Sequence, residues 1–155
     1  MAEFRIRFIT ESDPISDLIR FVTFSEWSHV EIITETGTYI GAHADGGIEE
    51  RAADYCKPNH ERRYAIPVTD EQYATMMAYA RSKIGTPYNF KDIVGLMLHH
   101  RMTEVKRSIC SQFVEDVGVS AKFLFLNVEP DFDYLITPET LHLSPKLIGN
   151  CYFKA

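Results

Sequence analysis

The chain has 155 residues, enough for one ordinary domain and too few for two full ones. At 45% hydrophobic and 25% charged it carries the apolar surface for a real core, which excludes intrinsic disorder. Sixteen Lys and Arg against 22 Asp and Glu give a net charge of −6, the wrong balance for a general nucleic-acid or anionic-membrane binder.

Taken in chain order, Phe4 to Ile9 alternates apolar and basic residues and predicts a half-buried strand. Asp13-Pro14 reads as an N-cap with proline at the first helical position. Ile15, Leu18, Ile19 and Val22 then give an amphipathic helix up to about Phe24. Ser28 to Thr34 and Thr38 to Ala42 are strand candidates joined by Glu35-Thr36-Gly37, a hairpin loop with glycine available for positive φ. Gly46-Gly47 reads as a turn.

Thr69 and Gln72 form a capping box for a helix whose face carries Tyr73, Met76, Met77, Ala80 and Ile84, with Gly85 as its stop. Residues 86–90 form a turn, Asp92 to His100 is helical, and Arg101 to Arg107, interrupted by Glu104, is a solvated loop. A further helix starts near Cys110, with Phe113, Val114 and Val117 at i+3, i+4 and i+7, and ends at Gly118. Phe123 to Val128 is a buried strand candidate, and Thr137-Pro138 opens a short helix. Strands and helices mix without βαβ alternation, so residues 1–155 read as a single α+β domain, a small antiparallel sheet or open barrel packed against helices.

Three cysteines (Cys56, Cys110 and Cys151) are widely spaced with no CxxC, so a reducing compartment is expected rather than a disulfide framework. The N-terminus alternates charge and lacks a signal-peptide core, and no run approaches the roughly 20 apolar residues of a membrane span. A soluble, cytoplasmic chain without stable membrane insertion is the expectation. Oligomeric state is open.

Cys110 stands at the start of an amphipathic helix, where unpaired amides and the helix dipole favour a thiolate and can donate to an oxyanion. The plain alternative is a small core residue. Cys56 and Cys151 lack such a setting. A thiol nucleophile needs a base, and His29, on a β-rich segment beside Glu31, is the best candidate. If Glu35-Thr36-Gly37 is a three-residue loop, opposed residue numbers sum to 72 and His43 falls across from His29. His43 is then the favoured residue to orient the base, with Glu31 as the alternative. His29, His43, Cys110 and Asp45 are metal-ligand types, and Cys56-x3-His60 could pair. None of them shows zinc-ribbon or HExxH spacing, so no metal and no cofactor is expected.

In order, Trp27-Ser28-His29-Val30-Glu31-Ile32, Gly41-Ala42-His43, Gly85-Thr86-Pro87-Tyr88-Asn89-Phe90 and Ile109-Cys110-Ser111-Gln112-Phe113-Val114 resemble the circularly permuted papain-like hydrolases of the NlpC superfamily, which include the lecithin–retinol acyltransferase-like proteins. The resemblance spans about residues 12 to 148. It implies a permuted papain-like fold with Cys110 as nucleophile, His29 as general base and His43 in the orienting position. It also implies that Tyr88 lines the cleft. Glu31 departs from a position that is often small or apolar in that family.

The expected activity is that of a thiol hydrolase or acyltransferase. It would cleave an amide, with cell-wall peptide first, or a lipid ester second, through a Cys thioester. The competing expectation is a non-catalytic binding or assembly module on the same scaffold, such as a phage-type accessory protein. Substrate choice would rest with loops at residues 44–63 and 99–107.

Overall fold

The computed structural model describes residues 1–43, 45–87, 110–126 and 136–152. Its elements are β1 (Ala2–Thr10), α1 (Pro14–Thr23), β2 (His29–Ile33), β3 (Tyr39–His43), β4 (Gly47–Arg51), β5 (His60–Val68), α2 (Asp70–Ser82), α3 (Cys110–Ser120), α4 (Pro138–His142) and β6 (Cys151–Tyr152). The class is α+β. One six-stranded sheet runs in the order β4-β3-β2-β1-β5-β6 with antiparallel neighbours throughout.

Period-two alternation sorts the strands into two faces. Phe4, Ile6, Phe8, Val30, Ile32, Ile40, Tyr64, Ile66 and Val68 build the core with Met76, Met77 and Ala80 of α2 and Phe113, Val114 and Val117 of α3. The register sets Arg7 against Glu31 and Ile9 against His29 on β1 and β2, so charge collects on the alternate positions.

The caps of the first two helices form as expected. Asp13 accepts from the Ile15 and Ser16 amides at 2.9 and 3.0 Å, and Thr69 and Gln72 complete a reciprocal box with both bonds at 3.1 Å. The apolar face of α1 buries less than its spacing predicts: Ile15, Phe21 and the left-handed cap residue Phe24 are exposed.

Three expectations need correction. Residues 44–63 are only partly loop, because β4 begins at Gly47 and β5 at His60. Gly118 does not end α3, which continues to Ser120. A Cβ at Gly118 would sit 2.5 Å from the Phe123 carbonyl and 2.8 Å from the Phe125 ring, so this glycine permits close approach of the returning chain. That returning segment, 123–126, forms no strand. Its backbone is satisfied without a ladder: the Phe123 amide donates to the Gly118 carbonyl, the Leu126 amide to Glu115, and the Ser144 hydroxyl to the Phe125 carbonyl. Phe125 still packs into the core against Phe4. Residues 92–100, 101–107 and 127–128 lie outside the described residues. Among the described residues no helix is long and apolar enough to cross a membrane.

Candidate functional site

The β2–β3 hairpin has the register its loop predicts. Ile32 pairs with Ile40 and Ile33 with Tyr39, and Gly37 takes the left-handed φ of 83° that closes a three-residue loop. His29 and His43 meet, their ring centroids 4.8 Å apart. Between them stands Glu31, whose Oε1 lies 3.5 Å from His29 Nε2 and 3.4 Å from His43 Nε2. Gly41 makes room: a Cβ there would lie 3.0 Å from Glu31 Cγ, 3.2 Å from His29 Nε2 and 3.4 Å from His43 Nε2.

Glu31 is wholly buried and held from two further sides. Its Oε2 accepts from Arg7 Nε at 2.7 Å and its Oε1 from the Tyr55 hydroxyl at 2.6 Å. Arg7 lies 3.3 Å over the centre of the Tyr39 ring, and its Nη2 reaches Cys56 Sγ at 3.7 Å. Burial pulls the Glu31 pKa upward, but His29, Arg7 and Tyr55 outweigh it and hold the carboxyl at about 2. Arg7 and Tyr55 were not anticipated as parts of the site. The only signal was the alternating basic position in Phe4 to Ile9, and that pattern equally describes a solvated arginine.

Cys110 opens α3 and is buried. Its side chain stands beside His29, close enough to act on the charge of that ring. Burial alone would lower the His29 pKa. The neighbouring Cys110 side chain, followed by Glu31, reverses that and pushes it up to about 10. His43 moves the other way, down to about 3, through burial and then repulsion from cationic His29. Only one of the two imidazoles therefore carries charge, and it is the one beside the thiol. The structure thus brings Cys110, His29, Glu31 and His43 together, while Tyr88 lies outside the described residues.

No family model matches the chain, and no curated protein matches it. Among solved structures it is similar to one titled the crystal structure of metalloprotein yiiX from Escherichia coli O157:H7, DUF1105. The TM-score is 0.69 at 14% identity, covering 99% of this chain and 97% of that one. At that identity the likeness concerns the fold.

Three side chains at this site could hold a metal. One ligand atom each from His29, Glu31 and His43 lies within 4.8 Å of the others. Asp45 instead pairs with Arg51 at 2.7 Å.

One buried titratable group belongs to the helix of Cys110 but not to this cluster. Glu115 accepts from the Leu126 amide at 3.4 Å through Oε1, while its Oε2 has no partner. Burial pushes its pKa up from 4.5 to about 7, helped by Asp116 and opposed by the Leu126 and Phe125 amides. The folded chain keeps this proton where the unfolded chain has lost it. Its stabilising contribution is therefore complete below pH 4.5 and falls away as pH rises toward 7. We expect on the order of 2 kcal/mol across that window. Urea titrations at about pH 5 and pH 7.5 should show the gap between wild type and Glu115→Gln changing by that amount. A pH-independent gap would refute the assignment.

Proposed function

We propose that the chain is a thiol hydrolase or acyltransferase with a circularly permuted papain-like fold of the NlpC type, acting on an amide or ester carbonyl. The observation that carries this reading is the placement of Cys110, at the start of α3, beside the His29 imidazole of β2. Chain order supports it too, since the histidine strand precedes the cysteine helix.

In this reading His29 takes the proton of the Cys110 thiol. The thiolate attacks the carbonyl carbon, and the first amides of α3 donate to the oxyanion that forms. As the tetrahedral species collapses, the bond to the leaving amine or alkoxide breaks. That group takes the His29 proton and leaves a Cys110 thioester. Water or an acceptor hydroxyl then gives its proton to His29 and attacks the thioester, releasing the acid or transferred acyl product and restoring the pair. Glu31, shared between the two rings and anchored by Arg7 and Tyr55, orients His29. This moves the orienting role from His43, favoured on sequence, to Glu31. Cell-wall peptide is the first substrate candidate and a lipid ester the second.

Alkylation of Cys110 tests the reading without knowledge of the substrate. At about pH 7, iodoacetamide should modify Cys110 about tenfold faster than free cysteine, because an adjacent imidazole base activates the thiol. His29→Ala should remove that advantage, and Cys110→Ala should remove the labelled peptide. Labelling no faster than free cysteine would favour the non-catalytic module.

A further inference from the structure

The geometry of the His29–Glu31–His43 cluster is poorly explained by hydrogen bonding. Aligned N–H···O bonds to a carboxylate run at about 2.7–2.9 Å, whereas the two separations here are 3.5 and 3.4 Å. Both Nε2 atoms are buried and make no aligned hydrogen bond among the described residues, an arrangement that proteins rarely leave without a purpose. Those two separations come close to another arrangement, and since all three donor atoms lie within 4.8 Å, the two rings need only draw in to complete it. Donor atoms bound at about 2.0–2.1 Å to a tetrahedral ion sit roughly 3.3–3.4 Å from one another.

We propose that the chain binds one divalent transition-metal ion of the zinc or cobalt class through His29 Nε2, His43 Nε2 and Glu31 Oε1. Two imidazole nitrogens and one carboxylate oxygen suit such ions, whereas magnesium and calcium prefer oxygen alone. All three side chains are held in place beforehand: Gly41 leaves them room, and Arg7 fixes the far oxygen of Glu31. Two features weaken the site. The Arg7 charge lies 2.7 Å from the carboxylate, and the ion must displace or share the Tyr55 hydroxyl on Oε1. Affinity should therefore fall below that of a closed structural zinc site.

A metal on His29 Nε2 takes that ring from proton transfer. Where the thiol hydrolase reading holds, on which this consequence rests, zinc is an inhibitor of the enzyme that competes for its base.

The test is equilibrium dialysis of the metal-free full chain against zinc with metal analysis, paired with the absorption spectrum of the cobalt form. Expected are one ion per chain and at least about tenfold weaker binding in both His43→Ala and the bulkier His43→Gln, each checked for folding by circular dichroism. Cys110→Ser should bind as wild type does, and the cobalt spectrum should lack a thiolate charge-transfer band. No bound zinc at about 100 µM, full binding in both His43 variants, or loss of binding in Cys110→Ser would overturn the site. Zinc bound by a chain whose Cys110 labels no faster than free cysteine would uphold the site and remove the hydrolase reading. Fast labelling with no bound zinc would do the reverse.

Discussion

Replacing Arg7 with methionine is expected to lower folding stability by about 3–5 kcal/mol. Arg7 and Glu31 are 2% and 0% exposed, and the guanidinium donates to the buried carboxylate at 2.7 Å. Two charges so deeply placed lose a great deal of hydration, so the intact pair adds little net stability even with the Tyr55 hydroxyl on the same carboxylate. Removing one partner is a different matter, because the survivor keeps its desolvation cost and loses its compensation. Methionine roughly preserves the aliphatic stem, so the loss reports the orphaned carboxylate more than a cavity, though the contact with the Tyr39 ring goes too. The double variant Arg7→Met/Glu31→Gln should lie closer to wild type than Arg7→Met alone, since the carboxylate that Arg7 compensates is then gone too. Urea unfolding at neutral pH measures all three. A single variant within about 1 kcal/mol of wild type would mean that His29 already compensates Glu31.

The hairpin was legible because its register depends on local chemistry. Glycine at position 37 permits the left-handed residue of a three-residue loop, and every pairing follows from that count. The helix starts were legible for the same reason, since the Asp13 and Thr69 caps are satisfied within three residues. The cysteine–histidine juxtaposition was not local. It was reached through the order of short motifs, and the two residues lie on β2 and α3, far apart in sequence.

What escaped the sequence depended on pairings between distant segments. In β5, the run of charges from Glu61 to Arg63 conceals the alternation of Tyr64, Ile66 and Val68, and Pro67 argues against a strand. The structure tolerates that proline because β6 covers β5 only at Arg63 and Tyr64, so Pro67 lies beyond its reach. Arg7 looked like one of two equivalent basic residues. Arg5 is indeed exposed and pairs with Glu3, while Arg7 faces Glu31 solely because β1 and β2 adopt one register. Tyr55 arrives from a loop that no periodicity describes. The Phe123 to Val128 run misled for the opposite reason: its apolar content is a true burial signal, but Glu115 and Ser144 replace the ladder that a strand would supply.

Glu31→Gln is expected to reduce kcat/KM toward a model ester by 100- to 10,000-fold, about 3–5 kcal/mol of transition-state stabilisation. The amide keeps the shape of the side chain and can still accept from Arg7, but it cannot stabilise a cationic imidazole and presents a donor to one of two rings that both face Oε1. His43→Gln should cost about tenfold or less, since the His43 ring is neutral beside charged His29 and only shares the carboxylate. Rates at one pH, corrected for the folded fraction from urea titrations, separate this effect from instability. The pattern of loss matters more than its size. A larger fall in His43→Gln than in Glu31→Gln would return the orienting role to His43 and leave Glu31 as a counter-ion for Arg7. Equal and small losses would mean that the Cys110–His29 contact needs no third member.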